Sequence, residues 1–283
     1  MNDAGQPLRI VQVSDIHCGT LLFDADLMRS TVERTNALEP DLIIVVGDLT
    51  SAGYEWEFNE AAEWIAQFDA ETVVVQGNHD ARNVGYLHFQ RLFGDRYVSR
   101  RIEFDEARAQ RLRATGLSVV AVDSSVPDLN EGHVGREWYE WIRKGFIEPD
   151  DLKIFVLHHH LVSIPGTGRD RNIVTDAGDV LQLLADIGVD VILSGHKHVP
   201  FFWGLNGMLI VNSGTASTRR VRGLTPPSWN EIVVDTDTIE VFTHYEDGRR
   251  ELSVVRSRAD RSLVREALTL TDEFRQTSTV FAD

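Results

Sequence analysis

The stretch that decides the fold is VVVQGNHD, residues 73–80. An apolar run of three valines ends at Gly77, and three polar residues that can bind metal or move protons, Asn78, His79 and Asp80, follow directly. On its own this pattern describes a turn, because glycine adopts positive φ and Asn and Asp side chains cap their own backbone. A function follows only if other strands of the chain end in the same way.

Several other short apolar runs have the same character. Strands that are buried on both faces read as continuous rather than alternating apolar runs. Helical periodicity lies between many of them, and this strand–helix alternation is typical of layered α/β folds. The predicted strands are Leu8–Val13, Asp41–Val46, Thr72–Val75, Leu117–Val122, Lys153–Leu157, Val189–Leu193 and Met208–Val211, and the predicted helices are Ala25–Leu38, Trp56–Phe68, Arg136–Phe146 and Ala177–Ile187.

The pattern changes after Gly207. No helix separates the strands predicted there, which are 208–213, 231–235 and 238–245. A last segment, Asp260–Phe274, has the periodicity of an amphipathic helix. The sequence therefore predicts one compact domain, residues 1–248, followed by a C-terminal strand and helix appendix, residues 249–283. The appendix could pack on the domain, cap the site or form a homodimer, and the sequence does not choose among these roles.

Composition narrows the class of protein. The chain has 283 residues, with 42% hydrophobic and 25% charged residues, as in an ordinary globular protein. A net charge of −16 argues against a nucleic-acid partner, which usually requires a basic surface. The single cysteine, Cys18, excludes an intrachain disulfide and fits a reducing cytoplasm. We expect no signal peptide, because the first residues, MNDAGQPLRIVQVSD, have no basic segment followed by an apolar one. We expect no membrane partner, because no apolar run approaches the ~18 residues that span a bilayer.

Five of the predicted strands deliver Asp, Asn or His at their carboxyl ends. In open α/β sheets, ligands bind at that edge. Seven of the ten histidines lie in these five segments. Each histidine alone is compatible with a hydrogen-bonded turn residue, but five such strand ends together indicate one site. The segments are Ser14–His17, Gly47–Asp48, Gly77–Asp80, His158–His160 and Gly195–His198.

The side chains at this edge favour transition metals. Imidazole together with carboxylate and amide oxygen suits Zn, Fe, Mn or Ni rather than Ca or Mg. One zinc ion needs three or four protein ligands, and this edge offers more than that. The surplus predicts two ions that share a bridging carboxylate. Such ions, ~3.5–4 Å apart, stabilise both the attacking and the leaving oxygen of a phosphoryl displacement.

The five motifs, D-x-H, G-D, G-N-H-D, a histidine cluster and G-H-x-H, resemble in this order the calcineurin-like metallophosphoesterases. The resemblance is strongest to the bacterial branch of class III cyclic-nucleotide phosphodiesterases and glycerophosphodiesterases, and it spans residues 8 to 245. Two further stretches agree with it, VDSSVPDLNEGHVGREWYEWIRKGF (122–146) and VNSGTAS (211–217). It implies an α/β fold, a four-layer α-β-β-α sandwich with two mixed central sheets and a metal site at the carboxyl ends of the strands.

The resemblance also implies a ligand set for two divalent or transition ions (Mn, Fe or Zn). The first ion would be held by Asp15, His17 and His198, the second by Asn78, His158 and His196, and both by a bridging Asp48. Three consecutive histidines follow one strand, and counting from the strand end favours His158, with His159 as the alternative. Relatives usually have proline after the histidine pair, whereas this chain has His160-Leu161.

The implied activity is phosphodiester hydrolysis. A hydroxide that bridges the two ions would attack phosphorus, since metal binding lowers the pKa of water to about 7. His79 would lie beside the ions without binding them and would protonate the leaving alkoxide. His79 and His159 would contact the substrate, a small molecule such as a cyclic nucleotide or a glycerophosphodiester. Asp80 would orient His79, support a metal ligand or cap a turn.

Three alternatives are open. Phosphomonoesterases of the phosphoprotein phosphatase type carry Asp and Arg-Gly after the Gly-Asp motif, whereas Leu49–Gly53 reads LTSAG here. A DNA nuclease fits poorly with the acidic composition. A non-catalytic metal-binding scaffold would generally have lost ligands, and every motif is intact.

Four further features have competing interpretations. Cys18 either packs in the core or lines the pocket. His160 and His159 either contact substrate or are hydrogen-bonded in place. The run Arg219, Arg220 and Arg222 either attracts phosphate or is a solvated loop. The tryptophans of two predicted helices favour packing over base stacking; they are Trp56, Trp64, Trp138 and Trp141.

Overall fold

Strands and helices alternate along most of the chain, as the sequence predicts. The structure, a computed structural model, describes residues 6–167, 172–219, 221 and 225–266. The strands are β1 (Leu8–Val13), β2 (Leu42–Val46), β3 (Thr72–Val75), β4 (Val98–Glu103), β5 (Gly116–Val122), β6 (Leu152–Leu157), β7 (Val191–Ser194), β8 (Phe201–Leu205), β9 (Met208–Asn212), β10 (Ser228–Val234), β11 (Thr238–Tyr245), β12 (Arg250–Ser257) and β13 (Leu263–Glu266). The helices are α1 (Ala25–Asn36), α2 (Glu55–Ile65), α3 (Gly85–Phe93), α4 (Glu106–Leu112), α5 (Tyr139–Gly145) and α6 (Ala177–Ile187), and a 3₁₀ turn (Arg136–Trp138) precedes α5.

The strands form two mixed sheets. The seven-stranded sheet has the order β13-β12-β11-β10-β1-β2-β3, and the six-stranded sheet has the order β4-β5-β6-β7-β9-β8. β1, β2 and β3 run parallel to one another, as do β5, β6, β7 and β9. The carboxyl ends of these parallel strands carry the five predicted segments, so the connectivity delivers them to two adjoining sheet edges.

Three apolar clusters define four layers. One cluster lies between the sheets and includes Ile10 and Ile44 of the first sheet and Val119 of the second. A second cluster packs α5 and α6 on the outer face of the six-stranded sheet. A third packs α1, α2 and Phe89 of α3 on the outer face of the seven-stranded sheet. The predicted α-β-β-α sandwich with two mixed sheets is confirmed. In the described part of the chain, no helix combines the length and hydropathy needed to cross a membrane.

The seven strands predicted from Leu8–Val13 to Met208–Val211 are all present, with small shifts at their ends. The sequence gives weaker signals for α3, α4, β4 and β8, which were not predicted. β4 reads VSRRIE and is mostly exposed, so it lacks the apolar run of a buried strand. Periodicity cannot find such an edge strand, because its pairing with β5 rather than burial holds it in place.

The predicted helix Asp260–Phe274 is wrong at residues 263–266, which form β13 and pair antiparallel with β12. Leu263 packs over Gly204 and against the inter-sheet cluster, so strand pairing and burial outweigh the helical period. Residues 267–274 lie outside the described part of the chain. β12 and β13 continue the seven-stranded sheet. The division at residue 248 stays a prediction.

A buried polar network joins the two sheets next to the predicted site. Gln12 in β1 donates from Nε2 to the carbonyl oxygen of Ser194 in β7 at 2.9 Å, and its Oε1 accepts from Asn230 Nδ2 at 3.0 Å. Ser194 Oγ in turn donates to Asn212 Oδ1 at 3.0 Å. Because buried polar groups are costly unless they are paired, this network specifies one register between the sheets.

Glu231 is the centre of an ion-pair cluster that spans four neighbouring strands. Its side chain is 1% exposed and lies 3.0 Å from Arg9 Nε, 2.8 Å from His244 Nε2 and 2.9 Å from Arg250 Nε. Burial acts to raise the pKa of the Glu231 carboxyl, but hydrogen bonds from His244 and Arg250 outweigh it and lower that pKa to about 2. The ionised carboxylate therefore stabilises the fold.

This cluster makes stability depend on pH. The pKa of Glu231 is lower in the folded protein than in the unfolded chain, so its carboxylate stabilises the fold at pH values above the unfolded pKa. This stabilisation is lost as the pH falls towards the folded pKa. A shift of this size corresponds to about 3 kcal/mol at neutral pH, of which about 2 kcal/mol is lost between pH 6 and pH 3. Urea unfolding of the wild type and of Glu231→Gln, each with a chelator that removes metal ions, measures this loss. The difference between their free energies of unfolding should shrink by about 2 kcal/mol between pH 6 and pH 3. A difference that stays constant with pH would contradict this account.

Candidate metal centre

The structure brings the five predicted segments together where the two sheets meet. Residues after β1, β2 and β3 come from the seven-stranded sheet, and residues after β6 and β7 come from the six-stranded sheet. Every predicted metal ligand is buried, and three groups of ligand atoms lie close enough to hold an ion. The groups are Asp15, His17 and His198; His17, Asp48 and His79; and Asp48, His158 and His196.

The backbone at the site is strained in a way that directs these side chains. Five of the predicted ligands have left-handed backbone conformations, with φ of 55° at Asp15 and His17, 51° at Asp48, 72° at His196 and 58° at His198. Each such residue costs on the order of 1–2 kcal/mol. Strain of this kind concentrates at functional sites, because it turns the chain sharply where a strand ends.

The first group combines side chains from both sheets. His198 Nε2 lies 3.2 Å from Asp15 Oδ1 and 3.0 Å from His17 Nε2. His17 Nε2 lies 3.9 Å from Asp15 Oδ1. Asp15 Oδ2 is held by Ser14 Oγ at 2.6 Å and by the backbone amide of His196 at 3.0 Å, so Oδ1 faces the two imidazoles.

The third group surrounds Asp48. Asp48 Oδ2 lies 3.3 Å from His158 Nε2 and 3.7 Å from His17 Nε2, which belongs to the first group. His196 Nδ1 lies 2.9 Å from Asn78 Oδ1. The Asp48 carboxylate is therefore within reach of imidazoles from both the first and the third group.

The charge states of these groups suit a cation. Burial lowers the pKa of His17 to about 3 and that of His196 well below its usual value, so both imidazoles are neutral. Burial acts to raise the pKa of Asp48, but the charges of His158 and His79 outweigh it and hold that pKa well below its usual range. Neutral imidazole and ionised carboxylate are the forms that bind metal.

Asp15 Oδ1 and His158 Nε2 test whether an ion fits. Both atoms are buried, and neither has a hydrogen-bond partner among the described residues. Asp15 Oδ1 faces the His198 imidazole, and His158 Nε2 faces the Asp48 carboxylate. The charge of Asp48 raises the pKa of His158 to about 10 against the opposing effect of burial. A proton there occupies the place of a cation, and metal binding would release it. The donor set and these two atoms fit a metal centre.

The orientation of the imidazoles is fixed from behind. His158 Nδ1 lies 2.7 Å from the carbonyl oxygen of Val46, which leaves Nε2 towards Asp48. His79 Nδ1 lies 2.6 Å from the carbonyl oxygen of Ser51, and the His79 amide donates to Asp48 Oδ1 at 2.9 Å. Ser51 was not among the residues predicted from sequence, because a main-chain acceptor has no sequence signature.

His159 and His160 lie beside the ligand groups. His159 is fully buried, its Nδ1 lies 2.9 Å from Ser124 Oγ, and its Nε2 lies 3.3 Å from the carbonyl oxygen of Asn130. Both nitrogens have partners within the protein, so this placement favours the hydrogen-bonded role over the predicted substrate contact. His160 stacks on His196, with ring centroids 5.8 Å apart.

Asp80 supports the loop that carries Asp48. Its carboxylate accepts from the backbone amides of Leu49, Thr50 and Gly77 and from Thr50 Oγ1, at 2.8–3.1 Å. It does not orient His79, since the Ser51 carbonyl oxygen has that position. Of the roles open in the sequence, the support of a ligand loop is the one the structure favours.

Of the other predicted residues, Cys18 is buried in the third apolar cluster, as the packing interpretation predicts. Arg219 pairs with Asp24 and Glu246, and Arg220 and Arg222 lie outside the described residues. Three of the four predicted tryptophans pack against the apolar clusters, namely Trp64, Trp138 and Trp141. Trp56 is 57% exposed, so its predicted packing role is wrong.

A family model described as calcineurin-like phosphoesterase matches residues 8–200, which include every residue of the three groups. The chain belongs to this family. It is therefore a metallophosphoesterase of the dinuclear type.

Two related proteins and one solved structure are similar to this chain. The chain is 27% identical over 213 residues to 3′,5′-cyclic adenosine monophosphate phosphodiesterase CpdA of Escherichia coli (strain K12), covering 71% of this chain and 73% of the relative. It is 24% identical over 254 residues to the probable glycerophosphodiester phosphodiesterase GpdQ of Arcobacter nitrofigilis, covering 83% and 88%. A dimetal phosphatase from Danio rerio shares the fold, with a TM-score of 0.59, 13% identity and coverage of 85% and 97%.

The close packing of Gly77 against Asp48 yields a prediction. A Cβ at Gly77 would clash with the backbone nitrogen and Oδ1 of Asp48. Gly77→Ala should therefore displace Asp48, abolish tight binding of metal by the metallophosphoesterase and cost about 1–3 kcal/mol of stability. Gly178→Ala is the control, because a Cβ there meets no atom within 4 Å. Retention of both metals by Gly77→Ala in elemental analysis would contradict this prediction.

Proposed function

We propose that this metallophosphoesterase hydrolyses phosphodiesters of small molecules, such as cyclic nucleotides or glycerophosphodiesters. The observation that carries the proposal is the Asp48 carboxylate, which contacts imidazoles of two metal-capable groups, His17 at 3.7 Å and His158 at 3.3 Å. Both imidazoles face the same oxygen, Oδ2, while Oδ1 accepts from the His79 amide. A carboxylate oxygen has two lone pairs, so Oδ2 could bind two ions at once. The names of relatives in both substrate classes support the diester.

We assign the ligands as follows. One ion would be held by Asp15, His17 and His198, the other by Asn78, His158 and His196, and both by Asp48. His158 is preferred to His159 because its Nε2 faces Asp48, whereas both nitrogens of His159 are engaged elsewhere. Mixed imidazole, carboxylate and amide ligands favour Mn, Fe or Zn.

When bound, the ions supply an ionised water for attack on phosphorus and neutralise the charge that develops on the phosphate oxygens. His79 is the residue that would donate a proton to the leaving group. Its Nδ1 is committed to the Ser51 carbonyl oxygen, and its ring lies edge-on to His17 with centroids 4.8 Å apart. The other ring nitrogen is therefore the one available to donate to a leaving alkoxide.

Two alternatives have less support. A phosphoprotein phosphatase would carry Arg-Gly in the loop after Asp48, and this loop instead folds against Asp80 through Leu49 and Thr50. A scaffold without catalysis does not need an intact ligand set. The cytoplasmic location and a homodimer remain predictions from the sequence.

The shared carboxylate predicts the metal content. Wild-type protein should bind two transition ions per chain, and Asp48→Asn should lose at least one ion together with more than 10²-fold of its activity, because the neutral amide cannot bridge. Asp26→Asn, at an exposed position of α1, is the control. Elemental analysis and calorimetric titration of metal-free protein measure the stoichiometry. Two tightly bound ions in Asp48→Asn would refute the bridging role.

The proposed acid predicts a dependence on the leaving group. His79→Ala should keep both ions but lose roughly 10²–10⁴-fold in turnover of alkyl diesters, the usual contribution of a general acid. Turnover of bis-p-nitrophenyl phosphate should fall much less, since p-nitrophenolate leaves without a proton. Equal losses on the two kinds of substrate would show that His79 does not protonate the leaving group.

The diester specificity is tested with matched substrates. We expect kcat/KM for a cyclic nucleotide or for glycerophosphoethanolamine to exceed that for the corresponding phosphomonoester by at least tenfold. Assays on 3′,5′-cyclic adenosine monophosphate, adenosine monophosphate, glycerophosphoethanolamine and phosphoserine peptide separate the candidates. A preference for the monoester or the peptide would favour the phosphatase alternative, and no turnover by protein loaded with two ions would favour the scaffold.

A further inference from the structure

We propose that Asn130 and Arg82 fix the orientation of the Asn78 amide, so that its oxygen and not its nitrogen faces the second metal position. This inference rests on the proposed function, in which Asn78 is the one neutral oxygen ligand. It assigns a positioning role to two residues outside the motifs.

An amide ligand has an ambiguity that a carboxylate, with its two equivalent oxygens, lacks. The oxygen and nitrogen ends of an Asn side chain have nearly the same shape, but only the oxygen can accept a cation. If the Asn78 amide turned over, it would present an NH₂ group to the ion. Something in the protein must therefore distinguish the two ends of this side chain.

Asn130 provides the distinction. Asn78 Nδ2 donates to Asn130 Oδ1 at 3.4 Å, so the nitrogen end of Asn78 has its acceptor at Asn130. Its oxygen end lies 2.9 Å from His196 Nδ1, within the predicted ligand set. The acceptor at Asn130 thus selects the orientation in which Asn78 Oδ1 is available to the ion.

Arg82 removes the same ambiguity from Asn130. Arg82 Nη2 donates to Asn130 Oδ1 at 2.8 Å. A guanidinium has only donors, so it accepts no contact from the NH₂ end of Asn130. The hydrogen bond is also charge-assisted, and such bonds are roughly twice as strong as neutral ones. Arg82 therefore holds Asn130 Oδ1 towards Asn78, and both donors converge on this one oxygen.

The loop that carries Asn130 is fixed independently of this side chain. The main-chain oxygen of Asn130 lies 3.3 Å from His159 Nε2. Ser125 and Gly132, which flank Asn130 in the chain, form a β-bridge. The backbone of Gly132 packs closely against the His159 ring. Replacing the Asn130 side chain leaves these main-chain contacts in place, so it can be tested without dismantling the loop.

The experiment is a metal titration of metal-free protein with Mn²⁺ by calorimetry. Partners that orient a metal ligand typically contribute 10–100-fold to affinity. Asn130→Ala should weaken one of the two binding steps by about that factor and leave the other unchanged. Arg82→Ala should weaken the same step by a smaller factor. Asn130→Asp should bind close to the wild type, because a carboxylate accepts from both Arg82 and Asn78.

Two substitutions serve as matched controls. Leu129→Ala changes an exposed side chain next to Asn130, and Arg91→Ala removes an exposed arginine that pairs with Glu55. Both should bind Mn²⁺ as the wild type does. Thermal unfolding of each metal-free variant reports whether the fold is intact, and Arg82→Ala tests the same interaction from the surface if Asn130→Ala fails to fold.

The outcomes separate this inference from the proposed function. Two ions in the wild type and unchanged affinities in Asn130→Ala and Arg82→Ala would overturn the positioning role alone. Equal weakening of both steps would also overturn it, because that result indicates a general loosening of the loop. A wild type that binds fewer than two ions would overturn the proposed function, and this inference with it.

Discussion

The position of the Asp48 carboxylate is the constraint on which the site depends. It sits where the seven-stranded and six-stranded sheets meet, 3.7 Å from an imidazole of the first sheet and 3.3 Å from one of the second. A buried carboxylate is stable only when charge or hydrogen bonds compensate it. The charges of His158 and His79 provide that compensation for Asp48.

The surrounding structure is arranged to keep Asp48 in place. Asp80 ties down Leu49 and Thr50 immediately after it, and Gly77 allows the neighbouring loop to approach its backbone. The Gln12 network fixes the register between the sheets beside Ser194, one residue before the Gly195 turn. Left-handed backbone conformations at five ligand positions add strain, and packing of the sandwich on three apolar clusters offsets it.

Most strands of the fold and the position of the site could be predicted from the sequence, because both depend on residues that are adjacent in the chain. Continuous β-branched runs identify β1, β2, β3, β6 and β7, and polar residues directly after them identify the edge that binds a ligand. The exposed β4 and the strand β13 escaped this reasoning, since pairing with a neighbouring strand decides their conformation. Contacts made by main-chain atoms, such as the carbonyl oxygen of Ser51 with His79, leave no trace in residue identities.

The sequence by itself determined the class of fold and the chemistry of the site, because both are written in short runs of adjacent residues. Only the tertiary structure decided which atoms face one another. It turned His158 towards Asp48 and His159 towards Ser124 and Asn130, although the two histidines are adjacent in the chain. It also set Asn130 between Asn78 and Arg82. The physical reason is that hydrogen bonds and ion pairs depend on distance and angle in space, and neighbours in space come from strands that are far apart in sequence.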